Sequence, residues 1–244
     1  DDSDESRISI RRSFIARDGY KLISFDFSQM EVRVFIAYFN SREILEKMEK
    51  EGFDFHSEAA KIAFKIEETH SDFKFYRQLA KAITFGIIYG IGNKKLSLQL
   101  RKTEDEAKEY KNIYFENIKG AREFIKSTYK EAKRNGYISN KYGRRYIIPQ
   151  DKAYVSVNFL VQGTSADILS ERMIELDKYF KEVDSHMLIQ IHDELICEIP
   201  ENNYIEICKK TKNIMENNSL NIPLIVDVSL CDPSWAHKKK LILI

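Results

Sequence analysis

The feature that most constrains the fold of this chain is a long block of helical periodicity between strand-forming segments. Near the start, KLISFDF at residues 21–27 alternates apolar and polar residues and predicts a strand with Asp26 close to its end. Farther along, MLIQI and LICEI at 187–191 and 195–199 predict two strands joined by a tight polar turn that holds His192, Asp193 and Glu194. We therefore expect an α+β fold in which strand segments flank an inserted helical block.

Local signals divide the helical block. Thr103 and Glu106 form a capping box that predicts the start of a helix, and Gly120 and Gly136 predict helix ends. The segment GYISNKYGRRYIIP at 136–149 predicts a hairpin, and the pattern over 155–180 predicts a second long helix.

Composition narrows the class of protein. The net charge of +1 conceals 32% charged residues, so any surface for nucleic acid must be local. Three cysteines, Cys197, Cys208 and Cys231, have neither C-x-x-C nor zinc-finger spacing, which favours a reducing compartment without structural zinc. No apolar run is long enough to span a membrane, and the acidic start DDSDES is unlike a secretory signal. We expect an intracellular, soluble protein that binds no membrane.

Four residues spaced four apart, Arg77, Lys81, Phe85 and Tyr89, form a helix stripe. At about 100° per residue, all four stay within about 120° of one helix face. The two cations can bind phosphate oxygens, and the two rings can stack on a base or enclose a sugar. The alternative is a solvated pair of cations beside aromatic residues of the core.

The predicted turn at His192, Asp193 and Glu194 is a second candidate site. Adjacent carboxylates are costly to crowd together unless a cation neutralises them, and Asp26 is a partner if its strand lies beside the turn. Magnesium is typically held by one or two carboxylates plus substrate phosphates, so these residues could form a magnesium site. The alternative interpretation of His192 to Glu194 is a solvated hairpin turn. Together with the helix stripe, such a metal site indicates phosphoryl or nucleotidyl transfer.

Three longer motifs carry a family resemblance. The segments DFSQMEVR, RQLAKAITFGIIYG and QIHDE, which begin at Asp26, Arg77 and Gln190, resemble the three polymerase motifs of the family A DNA polymerases in order and type. Shorter matches bring the resemblance to nearly the whole chain: IRRSFIA at 10–16, DFHSEAA at 54–60, YGRRYIIP at 142–149, NFLVQGTSADI at 158–168 and SWAH at 234–237.

The resemblance implies a right-hand polymerase architecture without a thumb. Its palm is an antiparallel sheet with flanking helices, and its fingers are an inserted helical block. The implied bounds are 1–45 for the first part of the palm, 46–150 for the fingers and 151–244 for the second part of the palm.

The resemblance also implies roles for single residues. Asp26 and Asp193, with the backbone carbonyl of Phe27, match the ligands of two Mg²⁺ ions, for which Mn²⁺ is a substitute. Glu194 matches an auxiliary catalytic acid, and Lys81 matches a group that protonates the leaving pyrophosphate. The positions that match contacts to the incoming nucleotide are Gln29, Glu31, His56, Arg77, Lys81, Phe85 and Tyr89.

Sugar selection and DNA binding follow from the same resemblance. Glu31 matches a steric gate that excludes the 2′-hydroxyl, although a first-turn helix residue favoured by the macrodipole is compatible with the same position. Phe85, where the family has Phe or Tyr, predicts discrimination against chain terminators. The positions that match contacts to primer-template DNA are Arg11, Asn158, Gln162 and His192.

Several features depart from the family or lie outside its motifs. The segment QDKAYVSV at 150–157 is shorter than its counterpart and lacks arginines, with Tyr154 where Arg is common. Lys238–Lys240 are interpreted as a solvated basic tail, with a DNA contact as the alternative.

The expected function is that of a template-directed DNA polymerase core acting on primer-template DNA and dNTPs, in the cytoplasm or another DNA-containing compartment, with an organelle or phage origin left open. The alternatives are an RNA polymerase or primase-like activity, a DNA-binding subunit, and half of a split polymerase that needs a separate chain bearing a thumb or an exonuclease.

Overall fold

The computed structural model of the protein describes residues 9–50 and 52–243, which form two compact units. Of these residues, 9–30 and 166–243 belong to the first unit, and 31–50 and 52–165 belong to the second. The domain bounds at 45 and 150 implied by the family resemblance remain a prediction. The acidic start DDSDES lies outside the described residues.

The strands are β1 (Tyr20–Phe27), β2 (Tyr137–Ser139), β3 (Arg145–Ile147), β4 (His186–Ile191), β5 (Glu194–Pro200), β6 (Val226–Cys231) and β7 (Lys238–Lys240). The α-helices are α1 (Met30–Phe39), α2 (Arg42–Met48), α3 (Phe55–Phe64), α4 (Phe73–Ile88), α5 (Asn93–Leu100), α6 (Glu104–Asn117), α7 (Ala121–Asn135), α8 (Ser156–Glu182) and α9 (Tyr204–Glu216). Short 3₁₀ helices span Ile10–Ser13, Gln150–Val155 and Glu201–Asn203.

The first unit is built on a five-stranded sheet with the order β4, β5, β1, β6, β7. Every neighbouring pair is antiparallel, and β1 is the central strand. Leu22 of β1 packs with Ile196, Cys231 and Trp235 in a buried cluster, on the same face of the strand as Ser24 and Asp26. The predicted strands are confirmed, and so is the expectation that the strand carrying Asp26 lies beside the one that follows the polar turn.

The cysteines of the first unit are packing residues. Cys197, Cys208 and Cys231 are all buried free thiols. Burial raises the pKa of Cys208 to about 12 and that of Cys231 to about 11, so both are protonated at neutral pH.

The second unit is the predicted helical block together with a small hairpin. The Thr103 hydroxyl accepts a hydrogen bond from the Glu106 backbone N–H, and the Glu106 carboxylate accepts one from the Thr103 backbone, so the predicted capping box is confirmed. Helix α7 lies between Gly120 and Gly136, both in the left-handed region at φ 88° and 73°. Strands β2 and β3 pair antiparallel, which confirms the predicted hairpin.

Two expectations about the first unit are wrong. Lys238–Lys240 are exposed as expected, but they are not a tail, because they form β7 and pair with β6 from Cys231 to Ser229. Glu194 is not part of the turn, because it begins β5 opposite Asp26. Both differences arise from pairing with distant strands, which local periodicity does not report.

Helices α2 and α5 are not among the elements predicted from the sequence, since each has only seven or eight residues. Within the described residues, no helix combines the length and the apolar character that crossing a membrane requires.

Candidate active site

Three acidic residues lie side by side across the sheet of the first unit. Asp26 on β1 is directly opposite Glu194 on β5 and directly opposite Asp227 on β6. Side chains at such positions share one face, with Cβ atoms about 4.5–5.5 Å apart. We call Glu194, Asp26 and Asp227 the acidic row. Like charges this close are destabilising unless a cation is near.

Asp193 adjoins the acidic row through a backbone hydrogen bond. It lies in the turn between β4 and β5, and its carbonyl accepts a bond from the Phe27 N–H at 3.3 Å. This bond joins the turn to the end of β1, one residue beyond Asp26. The structure therefore brings Asp26, Phe27 and Asp193, the predicted metal ligands, to one end of the sheet.

Asp26 is partly buried beside other carboxylates, and its pKa is raised. Burial raises the pKa, and the nearby carboxylates of Asp193 and Glu194 raise it further, to about 6. Lys238 opposes the shift. A bound cation would stabilise the ionised form of Asp26.

Glu194 differs from Asp26 because its carboxylate accepts hydrogen bonds from three donors. Its Oε1 accepts hydrogen bonds from Ser24 Oγ at 2.6 Å, Trp235 Nε1 at 3.2 Å and Lys238 Nζ at 2.5 Å. Burial alone would raise the pKa of Glu194, but the bonds from Lys238 and Ser24 outweigh burial and lower the pKa. Glu194 is therefore an ionised carboxylate fixed in place, although only 8% of it is exposed.

Two residues with strained backbones flank the acidic residues. His192, exposed in the turn, has φ 53°, and Gln29, just after β1, has φ 54°. Left-handed conformations of such residues cost roughly 1–2 kcal/mol and cluster at functional sites. The Gln190 side chain donates to the His192 carbonyl at 2.8 Å and stabilises the turn.

The donor set fits a magnesium ion whose ligands come partly from the protein and partly from the substrate. In the described residues, no group of three or more His, Cys, Asp or Glu side chains is arranged to hold a metal ion. Asp26 and Asp193 supply two carboxylates, and Mg²⁺ commonly takes one or two carboxylates with waters and substrate phosphates. These residues suit a cation completed by substrate, because Asp26 lies among other carboxylates and forms no ion pair with any described residue.

The helix stripe lies on α4 in the second unit. Arg77, Lys81 and Phe85 lie in α4, and Tyr89 follows its last residue, with its N–H bonded to the Phe85 carbonyl at 2.8 Å. The rings of Phe85 and Tyr89 are stacked, with centroids 5.7 Å apart and planes 19° from parallel. Other faces of α4 are buried through Leu79, Ala80, Ile83 and Ile87. The stripe is left open by this packing, with Lys81 and Tyr89 exposed and Arg77 and Phe85 half-buried.

Arg77 is held by Asp54. The Arg77 Nε lies 2.7 Å from Asp54 Oδ2, and Asp54 also caps α3 by accepting from the Ser57 N–H at 2.9 Å. Burial would raise the pKa of Asp54, but the bonds from Ser57 and Arg77 lower it to about 2. Arg77 is thereby oriented through its Nε, and its terminal Nη atoms have no partner among residues 9–50 and 52–243.

Two further polar residues lie at the helix stripe: Lys81 belongs to it, and His56 lies beside it. Lys81 is exposed and makes no ion pair with any described residue. His56, 3% exposed, contacts the ring of Phe85 with centroids 5.5 Å apart. Burial lowers the pKa of His56, Asp54 opposes this shift, and the charges of Lys81 and Arg77 add to it, which brings the pKa to about 4. His56 is thus neutral at pH 7, and its buried Nδ1 has no hydrogen-bond partner among the described residues.

Glu31 links two other predicted site residues. Its Oε2 accepts from the Tyr89 hydroxyl at 2.8 Å, and its Oε1 accepts from Gln162 Nε2 at 3.2 Å. Glu31 lies in the first turn of α1, where the macrodipole favours a carboxylate. These contacts orient the side chain, and its role as a steric gate stays a prediction.

The remaining predicted DNA contacts are placed on separate elements. Arg11, in the first 3₁₀ helix, lies over the Trp235 ring at 4.7 Å from its centroid. Asn158 and Gln162 lie one turn apart on α8, where Gln162 is exposed and Asn158 half-buried. Tyr154 is 54% exposed just before this helix.

Four residues at these sites are not predicted from the sequence, namely Asp54, Asp227, Trp235 and Lys238. Asp54 had a local signal, since Asp before a helical run is a common N-cap. Asp227 and Lys238 had none, because their roles depend on which strands lie beside β1.

Comparisons with known proteins define the family. Residues 2–237 match the sequence profile of DNA polymerase family A. The chain is 34% identical over 242 residues to the thermostable DNA polymerase I of Thermus aquaticus, covering 95% of this chain and 29% of that protein. It is 33% identical over 241 residues to DNA polymerase I of Deinococcus radiodurans, covering 94% of this chain and 25% of that protein. The chain belongs to DNA polymerase family A.

A solved structure has the same fold. The POL domain of Pol1 from M. smegmatis, in complex with DNA primer-template and dNTP, matches 93% of this chain with a TM-score of 0.83 and 30% identity. The match confirms the predicted fold class. The chain spans 42% of that solved chain and less than a third of the length of the curated relatives named above.

Proposed function

We propose that this chain is the catalytic core of a DNA-directed DNA polymerase, which adds deoxynucleotides from dNTPs to the primer 3′-OH of primer-template DNA. The observation that carries the proposal is the placement of Asp26 and Asp193 at one end of the sheet, where burial and the neighbouring carboxylates raise the pKa of Asp26 to about 6. Membership of DNA polymerase family A supports the same reaction.

In the reaction, the primer 3′-oxygen loses its proton and forms a bond to the α-phosphorus of the dNTP. The bond between this phosphorus and the bridging oxygen breaks, and pyrophosphate leaves. Asp26, Asp193 and the Phe27 carbonyl would hold two Mg²⁺ ions, or Mn²⁺ in their place. When bound, such ions supply charge stabilisation for the attacking and leaving oxygens.

The second unit offers the groups that bind a triphosphate. Arg77, oriented by Asp54, presents its free Nη atoms to phosphate oxygens, and exposed Lys81 adds a second cation. Lys81 also donates a proton to the leaving pyrophosphate. Neutral His56 contributes a hydrogen bond without adding charge.

The aromatic half of the stripe positions the sugar and base. The stacked rings of Phe85 and Tyr89 provide an apolar surface about the size of a nucleoside. Glu31, fixed by Tyr89 and Gln162, excludes a 2′-hydroxyl and selects deoxynucleotides. Gln29 contacts the nucleotide near the primer end, and the duplex is contacted by Arg11, Asn158, Gln162 and His192.

Primer extension by charge-neutral variants tests the proposal. Asp26→Asn and Asp193→Asn should each reduce extension by about a thousandfold or more while leaving the thermal unfolding temperature within a few degrees of wild type. Asp177→Asn, at an exposed helix position that forms an ion pair with Lys181, is the matched control and should extend primers normally. Normal extension by either site variant would refute the metal assignment.

A second candidate function is considered because the chain spans less than a third of the length of the curated relatives named above. In it, the chain is the catalytic half of a split polymerase, or a DNA-binding subunit, that acts only with a separate chain bearing a thumb or an exonuclease. Extension assayed at low and high protein concentration, with and without such a chain, separates the two. Activity of this chain alone supports autonomous catalysis, and activity only after the addition supports the split enzyme.

A further inference from the structure

Strand β7 supplies two lysines that form ion pairs with the acidic row. Lys238 Nζ lies 2.5 Å from Glu194 Oε1, and Lys240 Nζ lies 2.8 Å from Asp227 Oδ1. Alternate residues of a strand point to the same face, so Lys238 and Lys240 share a face and Lys239 points to the other. The two outer carboxylates of the row each have a cation from β7.

The middle carboxylate is treated differently. Asp26 makes no ion pair or hydrogen bond through its side chain with any residue that the structure describes, although it lies directly opposite both Glu194 and Asp227. Neutralising the outer members leaves Asp26 as the carboxylate of the row that is available to a divalent cation.

Strand β7 also lies outside the family pattern. The match to DNA polymerase family A ends at residue 237, and β7 begins at Lys238. The two lysine contacts therefore lie outside the matched region.

We propose that Lys238 and Lys240 are positioning residues that hold Glu194 and Asp227 away from the metal ligands, so that a divalent cation is bound through Asp26 and Asp193. This inference rests on the proposed polymerase function. Without Lys238, Glu194 would keep only the Ser24 and Trp235 bonds and gain net negative charge toward the cation. Divalent ions should then bind more tightly but in a less productive arrangement.

Trp235 offers a reporter that is independent of activity. It is the single tryptophan of the chain, it is 4% exposed, and its Nε1 donates to the same Glu194 oxygen that Lys238 contacts. Its fluorescence should therefore respond when a quenching ion such as Mn²⁺ binds near the acidic row.

The experiment compares Lys238→Met with Lys239→Met, its matched control on the opposite face of β7, and with Lys238→Arg, which keeps the charge. Mn²⁺ is titrated alone against Trp235 fluorescence, and primer extension is measured with Mg²⁺. Lys238→Met should lower the Mn²⁺ midpoint by about fivefold and kcat by about tenfold, with KM for dNTP nearly unchanged. Lys239→Met should match wild type, and Lys238→Arg should restore most of both values.

Equal Mn²⁺ midpoints for Lys238→Met and Lys239→Met would overturn the proposal, whatever the rates. If Lys238→Met does not fold, as judged by circular dichroism, Lys240→Met is compared with Lys239→Met under the same criterion. A shifted midpoint in a chain whose wild type extends no primer, alone or with a chain bearing a thumb, would support the positioning role and reject the polymerase function. The two failures are thus distinguishable.

Discussion

Asp54 caps helix α3 and at the same time binds Arg77 of α4 through an ion pair of 2.7 Å. One carboxylate therefore starts one helix and orients a cation on the next. The Arg77 side chain is held through its Nε before any ligand arrives, which reduces the entropy lost when its terminal nitrogens bind phosphate.

Asp54→Asn separates these two roles, because Asn is as good an N-cap as Asp but cannot form the ion pair. We expect KM for dNTP to rise by about fivefold to tenfold, with a smaller change in kcat. The free energy of unfolding should fall by about 1 kcal/mol or less. Steady-state primer extension and urea denaturation measure the two effects. Asp72→Asn is the control, since Asp72 precedes α4 without a capping bond; an equal rise in KM there would contradict the prediction.

His56 should make the stability of the protein depend on pH. An unfolded histidine binds a proton below about pH 6.5, whereas burial keeps folded His56 neutral down to about 4. Between these values protonation favours the unfolded chain, so stability is full above about pH 6.5 and falls as the pH decreases toward 4. The loss attributable to His56 is about 3 kcal/mol.

Urea denaturation at several pH values tests this dependence. His56→Gln should lose much of the decrease in unfolding free energy between about pH 6.5 and 4. His70→Gln, an exposed histidine of the same unit, should keep the wild-type dependence. An unchanged pH profile in His56→Gln would show that other groups cause the decrease.

Glu31→Ala should relax sugar selection. Loss of the carboxylate leaves space for a 2′-hydroxyl and also removes a hydrogen-bond acceptor of Tyr89 and Gln162. We expect the efficiency of ribonucleotide relative to deoxynucleotide incorporation to rise by about tenfold or more. Single-nucleotide incorporation kinetics measure this ratio, with exposed Glu43→Ala as the control. A wild-type enzyme that already prefers ribonucleotides would instead support the RNA polymerase alternative.

Phe85→Tyr should increase the incorporation of dideoxynucleotides. The Phe85 ring stacks on Tyr89 and contacts His56, so an added hydroxyl can reach the sugar without disturbing α4. One hydrogen bond replacing the missing 3′-hydroxyl contact is worth about 1 kcal/mol or more, which corresponds to a change of at least about fivefold. Phe75→Tyr, at an exposed position of the same helix, is the control. Equal use of a terminator by wild type and Phe85→Tyr would contradict the prediction.

Local patterns were sufficient for the elements that carry the candidate site. Alternation over residues 21–27 and helical periodicity around Arg77 correspond to β1 and α4, because both patterns arise from burying one side of a regular backbone. The Thr103 capping box was equally local, since its two hydrogen bonds join residues three apart. Short elements such as α2 and α5 were missed because few residues carry their signal.

By itself, the sequence determined which residue types stand at which helical or strand positions, including the stripe from Arg77 to Tyr89 and the carboxylates Asp26 and Asp193. Only the tertiary structure decided which charges meet. Asp227 is opposite Asp26 because β6 pairs with β1, and Lys238 reaches Glu194 because β7 extends that sheet. Strand order and register join residues far apart in the chain, and no local periodicity encodes these long-range pairings.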